Sequence, residues 1–137
     1  MNVSEQEIIG FIEKEFWKSK LNSNSDIFNE LKISGDDCDE LLVKYSKKYQ
    51  VDMSDFLWYF HHEEEGSSIF GFLFKPPNKR VPRIPVTPKM LAEFANSKKW
   101  NIDYPEHKLP KYRFDMFINW LFILLIILFI FYKKQKL

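Results

Sequence analysis

Apolar positions recur along this chain in stripes, and each stripe predicts an element. Ser4-Glu5-Gln6-Glu7 is a capping box, in which Ser4 accepts from the amide three residues on and Glu7 reaches back. Ile8, Ile9, Ile12 and Phe16 follow at helical spacing, so the pattern predicts a helix from Glu5 to Lys18. Ser19 to Asp26 is rich in Asn and Ser, whose side chains compete for backbone bonds, and reads as a loop. Ile27, Phe28 and Leu31 give that connection apolar anchors. Cys38, Leu41, Leu42, Tyr45 and Tyr49 then form one continuous helical face, entered through Ser34 and Gly35. Thr87-Pro88 marks another start, with Thr as N-cap and Pro at the first helical position. Leu91, Phe94 and Ala95 share the face that follows, and Trp100 closes its end. Strand signal is scarce. Only Ile69 to Phe74 reads as a short extended piece, so the expected fold class is mainly α.

The last run has no stripe at all. Met116 to Tyr132 is seventeen residues without a charge, thirteen of them Leu, Ile or Phe, followed by Lys133, Lys134 and Lys136. As a helix it rises about 25 Å, just inside the lower limit for crossing a bilayer. Each Leu, Ile or Phe contributes roughly −0.3 to −0.6 kcal/mol to insertion, a sum of several kcal/mol. Asn119 opposes this from near one end, while Trp120 and Tyr132 sit where interfacial rings belong. A buried core helix would have to hide apolar side chains all round inside a very small domain. The expectation is a transmembrane helix at 116–132, with a basic tail at 133–137.

A single late span places the remainder. The N-terminal residues show no basic leader followed by an apolar core, so no signal peptide is expected. Residues 1–100 then form a helical domain on the cytoplasmic side of the inner membrane, joined by a juxtamembrane linker at 101–115 to a tail anchor. Lys98, Lys99, Lys108, Lys111 and Arg113 before the span outnumber the three lysines after it, which favours the same orientation. Cys38 is the lone cysteine, so no intramolecular disulfide forms, in keeping with a reducing compartment. The carboxylates around it would raise its pKa, which argues against a nucleophile and for a half-buried helix residue. The formal net charge of +1 gives no global field for nucleic acid.

Charge along the second helix is polarised. Asp36, Asp37, Asp39 and Glu40 crowd its first two turns, and Lys44, Lys47 and Lys48 its last, which matches the helix macrodipole. The stretch Leu31-Lys32-Ile33-Ser34-Gly35-Asp36-Asp37-Cys38-Asp39-Glu40-Leu41-Leu42, then Tyr49-Gln50-Val51-Asp52-Met53, resembles an acyl carrier protein. Carriers run from a leucine-glycine turn through Asp-Ser-Leu into an acidic helix, and end it in an aromatic-x-Val step. Pro85 to Leu91 looks like the entry to the last carrier helix. The resemblance covers about residues 3–100, with an irregular insertion at about 61–83. More closely, the chain is similar to bacterial carrier-like proteins of unknown function with a GDD-x-x-E-L signature, here Gly35 to Leu41.

The resemblance implies a small helical bundle, and it fails at one position. Counting back from Glu40-Leu41, the serine that would bear a phosphopantetheine arm is Gly35, which has no hydroxyl. Ser34 is one residue early, and aligning it breaks the spacing to Glu40 and Leu41. The expectation is a non-catalytic, carrier-like protein without a cofactor. Asp36, Asp37, Asp39 and Glu40 would dock a protein partner with a basic patch, such as a lipid-pathway enzyme. Two alternatives stand beside it: a true carrier modified at Ser34, and a small membrane-bound immunity or toxin-neutralising protein.

Two further clusters bear on function. His61-His62-Glu63-Glu64-Glu65 holds metal-ligand types, but adjacent residues seldom converge on one ion, and a solvated loop is expected. Phe70, Phe72 and Phe74 adjoin Lys75, Lys79, Arg80 and Arg83, with prolines between. Greasy residues beside basic ones suit a membrane interface, where the lipid bilayer itself is the partner. The competing use of these phenylalanines is to fill the core.

Overall fold

The computed structural model describes residues 2–17, 20–64 and 73–137. Helix α1 spans Glu5–Phe16, α2 Ile27–Leu31, α3 Asp36–Tyr49, α4 Pro88–Ser97 and α5 Phe114–Lys136. Single 3-10 turns lie at Trp58–Phe60 and Pro77–Lys79. Among the described residues there is no strand, only one isolated bridge between Asp52 and Lys99. The mainly helical class read from the pattern is the class observed.

Helix α1 starts as its capping box requires: Ser4 Oγ accepts the Glu7 amide at 3.1 Å. It ends at Phe16, short of the expected Lys18, because Trp17 turns left-handed (φ 56°) and returns its N–H to the Glu13 carbonyl. Ile8, Ile9, Phe11 and Ile12 are buried. Helix α2 occupies the segment expected only to supply anchors. It is five residues long, too short to show a period, and it buries Ile27, Phe28 and Leu31.

Helix α3 buries Cys38, Leu41, Leu42, Tyr45 and Tyr49, the face its spacing predicts. Tyr45 carries its hydroxyl into the core and donates to the Leu91 carbonyl at 2.6 Å. In α4, Thr87 Oγ1 accepts the Met90 amide at 3.2 Å and Pro88 fills the first turn. α4 packs against α1, and Asn96 locks the pair by exchanging two hydrogen bonds with the Val3 backbone, at 2.6 and 3.0 Å. Trp100 is fully buried at the end of α4, as expected.

Helix α5 departs from this plan. Its apolar side chains from Phe117 to Tyr132 are largely exposed on all sides, with a mean hydropathy of 2.5. It is long and apolar enough to cross a membrane. Its first turn engages the domain through Arg113, Asp115 and Phe114.

Candidate functional site at the start of α3

The entry into α3 is set by one backbone conformation. Gly35 has φ 53° and ψ −122°, a region closed to side chains by contact between Cβ and the neighbouring peptide. Gly35 is buried, donates its N–H to the Glu63 carbonyl at 2.8 Å and accepts the Asp39 amide at 3.1 Å. A serine here would be strained whatever its hydroxyl might carry. Ser34 is exposed, and its carbonyl accepts the Asp37 amide at 3.2 Å.

Asp36, Asp37, Asp39 and Glu40 are all exposed around the positive end of α3. Glu40 pairs with Lys44 at 3.2 Å, and Lys44 also reaches Glu15 at 2.8 Å. Such open pairs contribute little to stability. Asp36 and Asp39 edge an open groove of about 600 Å³, floored by Phe56, Trp58 and His62 and bounded by Glu64 and Arg113. Cys38, on the opposite face, is fully buried rather than half-buried. Burial, with Asp39 and Asp37 adding, pushes its thiol up to about 12 and leaves it unreactive.

The two histidines are not in a solvated loop. Both are buried, because the chain after the Trp58–Phe60 turn runs inward, and the expectation of a solvated loop is corrected for these two residues, while Glu63 is exposed. The Ile84 carbonyl, 2.8 Å from His61 Nδ1, can only accept, so Nδ1 carries the proton. His61 Nε2 then accepts from the Tyr104 hydroxyl at 2.7 Å, and Tyr104 Oη accepts from Trp100 Nε1 at 2.8 Å. Every polar atom of this chain is satisfied with a neutral ring. Burial lowers the His61 pKa to about 4. His62 places Nε2 3.2 Å from Asp39 Oδ1, without the alignment of a hydrogen bond. Among the described residues, no group of three or more His, Cys, Asp or Glu is placed to hold a metal ion.

Sequence reasoning missed Arg113. Its guanidinium grips Glu64 at 2.8 and 3.1 Å and Asp115 at 3.0 and 2.8 Å, tying the groove's rim to the first turn of α5. The hydrogen bonds to Asp115 and Glu64 raise its pKa further. Glu64 lies 49 residues away in sequence, so only the place of Arg113 just before the apolar run marked it.

The expected membrane-facing cluster is divided. Phe70 and Phe72 lie outside the described residues. Phe74 stacks near Phe114, with ring centroids 5.8 Å apart, and Lys75, Lys79 and Arg80 are exposed. Arg83 instead grips Asp26 at 2.5 and 2.9 Å, and this bond holds the Asp26 carboxyl below its usual range. The lysine and aromatic residues of 111–114, which sequence reasoning left in a linker, join the cluster in its place.

Comparison with curated proteins and with solved structures found no match. A family model described as "Protein of unknown function (DUF1493)" matches residues 1–103, and the match itself says nothing of acyl carriers. The matched span holds α1 to α4, the acidic start of α3 and the buried histidines, and by it the chain belongs to that family of unknown function.

Proposed function

We propose that the protein is a membrane-anchored, non-catalytic docking module of acyl-carrier-like character, working without a phosphopantetheine arm. Helix α5 crosses the inner membrane once and holds the helical domain at the cytoplasmic face. The start of α3 receives a basic patch on a protein partner. The observation that carries this reading is the exposure of Asp36, Asp37, Asp39 and Glu40 around the start of α3, with Asp36 and Asp39 at the groove rim. Opposed charge of this kind sets on-rate and partner choice more than affinity. The carrier resemblance makes a lipid-pathway enzyme the first partner class to test. Because Arg113 couples the groove to α5, the acidic rim would be presented at a fixed height above the bilayer.

The test is in-cell crosslinking from α3, comparing the native chain with D36N/D37N/D39N. The asparagines keep the size of each side chain and remove the charge. The expected outcome is loss of the major crosslinked partner, and an unchanged partner list would overturn the docking surface.

One observation favours a second reading. Ser34 is exposed beside a cavity of about 370 Å³ lined by Phe28, Lys32, His62 and Arg83, so a carrier modified at Ser34 remains a distinct hypothesis. Intact mass after co-expression with a phosphopantetheinyl transferase separates the two. An unmodified mass removes the carrier.

A further inference from the structure

Where α5 leaves the domain, two segments distant in sequence close on a small cleft of about 180 Å³. One is the loop bearing Phe74, Lys75 and Arg80, and the other is the chain at Lys111, Tyr112 and Phe114. The charges do not cancel. Arg113 pairs with two carboxylates, Glu64 and Asp115, of which Asp115 also lines the cleft, whereas Lys75, Arg80 and Lys111 have no acidic partner among the described residues and leave the cleft with an excess of positive charge. Arg80 Nε donates to the Lys75 carbonyl at 2.7 Å, which fixes the guanidinium beside the cleft. The Lys111 ammonium lies over the Tyr112 ring at 5.6 Å from its centroid.

The height of the cleft identifies its occupant. Arg113 is the N-cap of α5, and the uncharged run begins at Met116, about 5 Å further along the axis. Headgroups occupy a layer of roughly 5–8 Å outside the hydrocarbon core on each side. A chain anchored through α5 therefore holds the cleft within that layer. Tyr112 and Phe114 are exposed there, as interfacial aromatic residues are. Below the cleft, Phe117 and Leu121 continue as exposed apolar surface down α5. A free phosphate would use the cations alone, whereas a phospholipid uses both the cations and the apolar track.

We propose that this cleft binds the phosphodiester headgroup of an anionic phospholipid, with Lys75, Arg80 and Lys111 around the phosphate and the acyl chains along α5. The inference rests on α5 crossing the bilayer, but it does not depend on any partner at α3.

The full chain is reconstituted into nanodiscs of mixed phosphatidylcholine and phosphatidylglycerol, and the lipids retained on release are counted by native mass spectrometry. The native chain is expected to enrich phosphatidylglycerol by about five-fold or more, the worth of one or more cations near an anionic surface. K75Q/R80Q/K111Q, folded by circular dichroism, is expected to lose the enrichment. K133Q/K134Q/K136Q, altered at the other end of α5, is expected to keep it. Loss in the second variant, or retention in the first, overturns the cleft. Displacement of the lipid by millimolar inorganic phosphate overturns the choice of a lipid. Alkaline extraction of native membranes separates the two readings: a chain that washes off ends both, and a chain that stays without lipid preference ends only this one.

Discussion

Helices α3 and α5 solve the same problem in opposite ways. α3 has fourteen residues and hides one stripe, Cys38 to Tyr49, while every carboxylate of its first turns faces water. α5 has twenty-three residues and hides almost none, although its side chains are far more apolar. In α3 the apolar residues have found protein: Leu41, Tyr45 and their neighbours pack with α1, α2 and α4 into one core. In α5 the Arg113 grip and the Phe74 ring hold one end to the domain. The difference shows where the domain's own solvent rules stop. The helices of the domain bury their stripes and turn their charges to water, whereas α5 is long and apolar enough to cross a membrane.

The sharpest way to break that comparison is to charge α5. L124K/I127K removes two favourable insertion contributions and adds two charges at the centre, a cost of roughly 6–8 kcal/mol on insertion scales. The variant is expected to leave the membrane fraction on alkaline extraction. Val43→Lys, at an exposed position of α3, is expected to change stability by no more than about 0.5 kcal/mol. Equal behaviour of the two variants would erase the distinction.

A smaller effect comes from acid. Folding lowers the His61 pKa from 6.5 to about 4, so between those values the unfolded chain binds more protons than the folded one. Stability of the domain should therefore fall as pH drops from about 6.5 to 4, by up to ~3 kcal/mol, and this contribution should level off below that. Carboxylates such as Asp26, held low by Arg83, begin to be lost only near and below pH 3.8. The apolar run of α5 contains no Asp, Glu or His, so α5 should stay helical in bilayers while the domain loosens. Denaturant melts of the native chain and His61→Gln across pH check this. A slope that survives in His61→Gln would assign it elsewhere.

The smallest expected effect sharpens α3 alone. Gly35→Ser places a side chain at φ 53° and ψ −122°, and is expected to cost about 1–3 kcal/mol in denaturant unfolding. A neutral result would mean that glycine is not imposed by the turn. The carrier resemblance would then regain a simple route back to its missing serine.

Much of the architecture was legible before folding because it is local. Ser4 and Thr87 announce their helices within four residues, and the stripe on α3 needs only its own period. α2 was not legible, since five residues show no period and its identity depends on Val86, which accepts the Ile27 amide at 2.9 Å. The candidate site divides in the same way. Its four carboxylates were readable from charge spacing. The groove beside them was not, because the start of α3, the Phe56 to Glu64 segment and Arg113 are far apart in sequence.

The sequence by itself determined the helical class, the acidic start of α3 and the uncharged length of α5, since each follows from nearest neighbours along the chain. Tertiary structure alone decided that His61 and His62 are buried, that Arg113 joins groove to anchor, and that Lys75, Arg80 and Lys111 meet. A buried histidine and a solvated one have the same letters around them. What separates them is whether Ile84 and Tyr104 arrive from elsewhere to satisfy both ring nitrogens, and chain closure settles that.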